Sequence, residues 1–148
     1  MANAIKWEGA WTSRGNVLTT ELNSLADAAR TNGGTAIANN TNLDQFGKLE
    51  VNVTFSVAPD AGATLLVYMI TAPDGTNYED GSSSVDPGSH TLVDVIPVKA
   101  STSAQILMSR MIPLQPAATK FIVSNSTGQA FPASGSTVEL FTNNDEVQ

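Results

Sequence analysis

Leu49-Glu50-Val51-Asn52-Val53-Thr54-Phe55-Ser56-Val57 alternates apolar and polar residues without a break. Successive side chains of an extended chain point to opposite faces, so the odd-numbered residues form an oily face and the even-numbered ones a wet face. A lone strand with one oily face is unstable in water and needs a second layer to cover it. The reading that follows is a mainly β chain, an antiparallel β-sandwich of jelly-roll type with one short N-terminal helix.

The sequence outward from this strand supplies the other strands. Ala58-Pro59-Asp60-Ala61-Gly62 ends it, because proline lacks the ladder donor and glycine permits a tight reversal. Residues 64–71 resume with Leu65-Leu66-Val67-Tyr68-Met69-Ile70, apolar on both faces; this predicts a central strand covered on both sides, with Tyr68 in the core. The stretch from Ala72 to Gly88 reads as the longest loop, acidic and pointing outward. Further strands are predicted over 91–99, with Pro97 marking an edge or bulge, and over 104–112, 120–124 and 137–141. Short strands separated by turn signals indicate one domain over residues 18–148, without internal repeat or linker.

The N-terminal side has a different period. Leu18, Leu22, Leu25, Ala26 and Ala29 recur at helical spacing, with Thr19 or Thr20 to cap and Gly33-Gly34 to stop. A helix from there to about Arg30 is expected, its Leu18, Leu22 and Leu25 face covering the core or contacting another subunit. Residues 1–17 read as an arm. Ile5, Trp7 and Trp11 are its candidate docking residues, since large rings bring the greatest burial per residue.

Composition narrows the function. The chain has 148 residues, enough to bury about 70% of the surface its unfolded form exposes. Charged residues make up only 14% of it, no cysteine is present, and the net charge is −7. That charge repels phosphate backbones, so no nucleic-acid partner is expected. The sequence shows no signal-peptide pattern and no apolar run long enough to span a membrane, so synthesis in a cytoplasm with no membrane partner is expected.

With the strands in place, four segments carry a resemblance. They are Leu22-Asn23-Ser24-Leu25-Ala26-Asp27-Ala28, Asn42-Leu43-Asp44 leading into Leu49-Glu50-Val51, Ala72-Pro73-Asp74-Gly75-Thr76-Asn77-Tyr78, and Ser126 through Val138. In these the chain resembles small virion structural proteins of tailed bacteriophages, of the capsid decoration or cement kind. The resemblance implies a jelly-roll-like protein on the capsid surface, bridging major capsid subunits and often trimeric, with the major capsid protein and its own copies as partners. A tail or neck component is the close competitor. A surface rich in hydroxyls and amides, without cysteine or export signal, suits a particle released by host lysis.

Chemistry is sparse. His90 is the one imidazole and has no nucleophile setting around it, so no enzyme is expected and no catalytic residue is assigned. One histidine and no cysteine cannot furnish a zinc site, and no cofactor is expected. Asp74, Asn77, Glu79, Asp80 and Asp86 place hard oxygens in one loop, but without calcium-loop spacing, and read as a solvated acidic loop. Gly33-Gly34 and Gly81-Ser82-Ser83-Ser84 lack the Lys-Ser/Thr ending of a phosphate cradle. A carbohydrate-binding module is the second class, with Trp7, Trp11, Tyr68 and Tyr78 as candidate stacking rings.

Overall fold

Alternation over Leu49–Val57 does build a strand, and the computed structural model, which describes residues 5–7 and 9–147, shows what covers it. In chain order the elements are β1 (Ile5–Trp7), β2 (Thr12–Leu18), a 3-10 turn at Thr20–Leu22, β3 (Ile37–Ala38) and the one-turn helix α1 (Asn39–Asn42). There follow β4 (Phe46–Val53), β5 (Thr64–Ala72), a 3-10 turn at Ser89–Thr91, β6 (Leu92–Pro97), β7 (Gln105–Met108), β8 (Ile112–Pro113), β9 (Ala118–Ser126), β10 (Thr137–Asn143) and β11 (Asp145–Val147).

Two antiparallel sheets carry the fold. One runs β2-β10-β4-β7 with β8 extending the β7 edge along β4; the other runs β3-β9-β5-β6. The ladders nest: β2 with β10, β3 with β9, β4 with β7, β5 with β6. The chain is thus laid out as one long hairpin whose tip lies between β5 and β6. The contacts of β10 with β4 and of β9 with β5 then join neighbouring rungs into sheets. A separate ribbon pairs β1 with β11, setting Ile5 opposite Val147 and Trp7 opposite Asp145.

Alternation decides what lies between the sheets. Leu49, Val51 and Val53 from β4 and Val138 and Leu140 from β10 face Leu65, Val67, Phe121, Val123 and Ile96 from the second sheet in one apolar core. Phe55, just past the end of β4, closes the core edge-on against Phe131 with ring centres 5.3 Å apart. Val57 breaks the expected pattern: the strand stops at Val53 and Val57 is exposed. Tyr68 is half-buried on the outer face of β5 and is not a core residue, because the alternation that buries Leu65 and Val67 turns it outward.

The helix expected up to Arg30 does not form. Only Thr20–Leu22 winds, as a 3-10 turn, and Ser24 and Ala28 adopt left-handed φ values of 53° and 59° that end any helix. The backbone of this stretch finds its partners on the free edge of β9 instead: Ala28 N–H donates to Asn125 O, Asn125 N–H to Ala29 O, and Thr31 N–H to Val123 O. Buried Asn125 anchors it, its Nδ2 donating to the carbonyls of Leu25, Ala26 and Gln129. Leu18, Leu22 and Leu25 all lie in the core, so their spacing reports inward-facing positions of a looped segment, and they offer no surface to another subunit. Gly34 does more than stop a helix. A Cβ there would stand 1.9 Å from the Val17 carbonyl oxygen, so only glycine lets this loop cross β2.

The arm is shorter than residues 1–17. β2 is a full member of its sheet, and Arg14 within it grips the buried Asp44 carboxylate with two bonds, Nη2 to Oδ1 at 2.6 Å and Nε to Oδ2 at 2.8 Å. From Thr12 onward the chain belongs to the body.

Candidate functional site

β6 and β7 are the last strands of their respective sheets and lie side by side on one flank. Both carry apolar side chains outward: Leu92 and Val95 on β6, Ile106 and Met108 on β7, and Met111 just beyond. Between them runs a groove of about 490 Å³ lined by Asp94, Val95, Ile96, Pro97, Met108 and Arg110. Val95 and Met108 share this groove, while Leu92 lines a separate hollow with Tyr68 and Arg30; large apolar side chains left exposed along one flank mark a surface with a use.

Local breaks in the ladders produce this edge. Strict alternation over 104–112 would keep Ile112 on the side of Ile106 and Met108. Instead residues 109–111 bulge out of the ladder, Met111 turns outward, and Ile112 is buried in the core with Leu107. Ser109 holds the bulge by exchanging bonds with Leu49: its N–H donates to Leu49 O and its Oγ accepts from Leu49 N–H, each at 2.9 Å. On β6 the register slips beside Val67 and Tyr68, and Pro97 removes one donor from the rim.

Asp94 ties the strands together. It lies on the inward face of β6, opposite Val67, and accepts the backbone N–H of Arg110 at 2.6 Å, the Arg110 Nε at 2.8 Å and the Val95 N–H at 2.8 Å. Burial pushes this carboxyl upward, but the Arg110 backbone and guanidinium together with the Val95 N–H outweigh that and hold it below the ordinary range. An acid at an inward position of an otherwise apolar strand is the one sequence signal that could have revealed the clamp.

The acidic loop does not extend outward. It lies back over the outer face of β5 and β9, where Gly81 is packed so tightly on Ile122 and Ile70 that a Cβ would come within 2.9 Å of Ile122 Cδ1. Three of its four carboxylates, those of Asp74, Glu79 and Asp86, have partners. Asp86 pairs with Arg30 at 2.5 Å, Ser83 donates to Asn32, and Lys120 Nζ stands 4.4 Å over the Tyr78 ring. Glu79 accepts from Thr71 N–H and Oγ1 and meets His90 Nε2 at 3.0 Å; the His90 bond, outweighing partial burial and helped by the Thr71 donors, holds its carboxyl low. Asp74 caps its own turn through the Asn77 and Thr76 N–H groups, which bring it down to about 2. Among the described residues no three His, Asp or Glu side chains converge as a metal site.

The remaining expected site residues separate. Ile5 and Trp7 lie in β1, but their side chains fall outside the described residues. Trp11 is on the outer face of the β2-containing sheet, beside Phe141 and Met108, whereas Tyr68 lies on β5 and Tyr78 in the loop over Lys120 of β9, so these three candidate stacking rings make no single platform. No family model, curated protein or solved structure matches this chain.

Proposed function

We propose that this chain is a non-enzymatic structural protein of a bacteriophage virion, a decoration or cement protein that sits on the capsid surface and bridges neighbouring major capsid subunits. Its two sheets are read as a jelly-roll-like β-sandwich. The nested ladders support that reading, since rolling one long hairpin until its halves stack gives two sheets closed over a shared core.

The observation that carries the docking role is the apolar β6–β7 edge with Leu92, Val95, Ile106, Met108 and Met111 exposed around the Asp94–Arg110 clamp. A partner that covers it gains about 25 cal/mol per Å² of apolar surface removed from water. An interface of ~1,600 Å² suffices for a stable contact, and a closed symmetric shell repeats it many times. With only 14% charged residues, the surface requires few ions to be desolvated on docking. Copies of the chain itself are the further partner, and the edge replaces the expected tryptophan arm as the leading contact.

Counting copies in purified particles tests the reading. On the order of hundreds of copies fits shell decoration, since closed symmetry multiplies each site. A count below about a few dozen would move the protein to the neck or tail, where ring symmetry limits it. Absence from particles would refute the virion role.

A further inference from the structure

The outer face of the β2-β10-β4-β7 sheet carries a group of residues of which the docking edge uses only Met108. Trp11 and Phe141 lie there with Lys48, Glu50 and Met108 around an open hollow of about 230 Å³. Glu139 on β10 stands directly across from Glu50 on β4. Like charges placed opposite one another weaken a ladder, so this pair costs the fold something. Among the described residues neither carboxylate has an ion pair. Each is held by a neutral donor: Asn52 Nδ2 donates to Glu50 at 2.9 Å, and Ser13 Oγ donates to Glu139. Trp11 keeps 37% of its surface exposed, with Lys48 Nζ 5.3 Å from its ring centre.

We propose that this hollow binds a neutral pyranose oligosaccharide. Trp11 and Phe141 offer apolar surface to the C–H face of a sugar ring, while Glu50 and Glu139 accept bonds from the hydroxyls at its rim. A pyranose presents both surfaces at once, an apolar face bordered by donors. Hydroxyl donors aimed at the carboxylates also offset the repulsion between them, and bonds to ionised acceptors are the stronger kind. The same pair selects by charge. Lys48 offsets only one of the two carboxylates, so a sialylated, uronic or sulfated sugar would add negative charge to an already negative hollow on a chain of net charge −7, and is disfavoured. These observations are independent of the virion reading and hold whichever particle, if any, carries the protein.

The test is a titration of the full chain with cellotetraose, maltotetraose and chitotetraose, with sialyllactose as the anionic probe, followed by two-dimensional NMR of amides and indoles. At least one neutral probe shifts the Trp11 indole and the amides of Glu50, Glu139 and Phe141, and sialyllactose does not. Trp11→Ala and Glu50→Gln each weaken binding by about tenfold or more, the order of one lost charge-assisted bond or ring contact. Glu50→Gln at the same time leaves the melting temperature unchanged or raised, because the repulsion is gone, which separates lost binding from lost folding. Silence with all three neutral probes at millimolar concentration overturns the proposal. So do shifts that survive Trp11→Ala, equal response to sialyllactose, or a Trp11 signal that moves only with protein concentration, as a second copy seated on the face would cause.

Discussion

Replacing Asp94 tests how the docking edge is held. Its carboxylate side chain is 5% exposed and the Arg110 side chain it binds is 77% exposed, so the two halves of the pair are worth very different amounts. Asp94→Ala strands the Arg110 and Val95 backbone donors. A buried donor left without an acceptor costs ~1–3 kcal/mol; both of these are only part-buried, so the pair together costs about 3 kcal/mol, toward the low end for two. Arg110→Ala leaves both backbone donors on the carboxylate and removes only an exposed ion pair, worth ~0.2–1 kcal/mol. At roughly 3 °C per kcal/mol for a chain of this size, Asp94→Ala lowers the melting temperature by about 9 °C and Arg110→Ala by less than about 3 °C. The pH dependence has a fixed sign. The folded carboxyl lies below its unfolded value, so the contribution is fully present above about pH 4 and is lost as pH falls through the folded value. Thermal unfolding followed by circular dichroism at neutral and acidic pH reads both effects, and the gap between wild type and Asp94→Asn narrows on acidification. Equal losses for Asp94→Ala and Arg110→Ala would overturn this, since the clamp would then rest on the exposed guanidinium and not on the part-buried backbone donors.

Other consequences are equally open to measurement. Asn125→Asp keeps the shape but turns a carboxylate toward the carbonyls of Leu25, Ala26 and Gln129, so it destabilises by roughly 3 kcal/mol or more in urea unfolding, with lost amide protection over residues 25–31. Gly34→Ala abolishes folding because its Cβ would collide with the Val17 carbonyl, whereas Gly33→Ala, whose Cβ meets the flexible Lys120 side chain at 3.2 Å and Ile70 Cδ1 at an ordinary 3.7 Å, folds; comparable expression of both as soluble protein would count against the packing described. The loop over β5 and β9 loosens in acid. Glu79 is held low by His90 and Thr71, so its contribution is present above its ordinary range and fades as pH falls through the lower folded value; hydrogen exchange over residues 73–91 should rise there, and Glu79→Gln should remove the pH step.

Much of the architecture is readable from two-residue alternation. Leu49, Val51 and Val53 announce β4, and the double-sided run around Val67 announces a central strand, because burial on one or both faces leaves a direct imprint on residue type. The segment around Leu22 and Leu25 misleads for the same reason. Core-facing leucines reached by tight turns can fall at helical spacing, and what keeps the backbone from winding is a distant amide, Asn125, which no local pattern reveals. β2 escapes notice because Arg14 and Gly15 interrupt its alternation, and its place in the sheet depends on Asp44 far along the chain. The docking edge and the hollow beside Trp11 are assembled by register between β4, β7 and β10, which places Met108, Glu50 and Glu139 in one row. A one-dimensional sequence carries no trace of that row until the pairing is known.

The claim that the β6–β7 edge seats this protein on a shell is tested most directly by quantitative mass spectrometry of purified virions. Particles carrying the wild-type chain are compared with particles carrying Val95→Asp combined with Met108→Asp, both at exposed positions. Wild-type copies on the order of hundreds are expected, as symmetry requires, with loss of most of them in a variant that still folds. Equal occupancy by the two chains, or no wild-type protein in the particles, would contradict it.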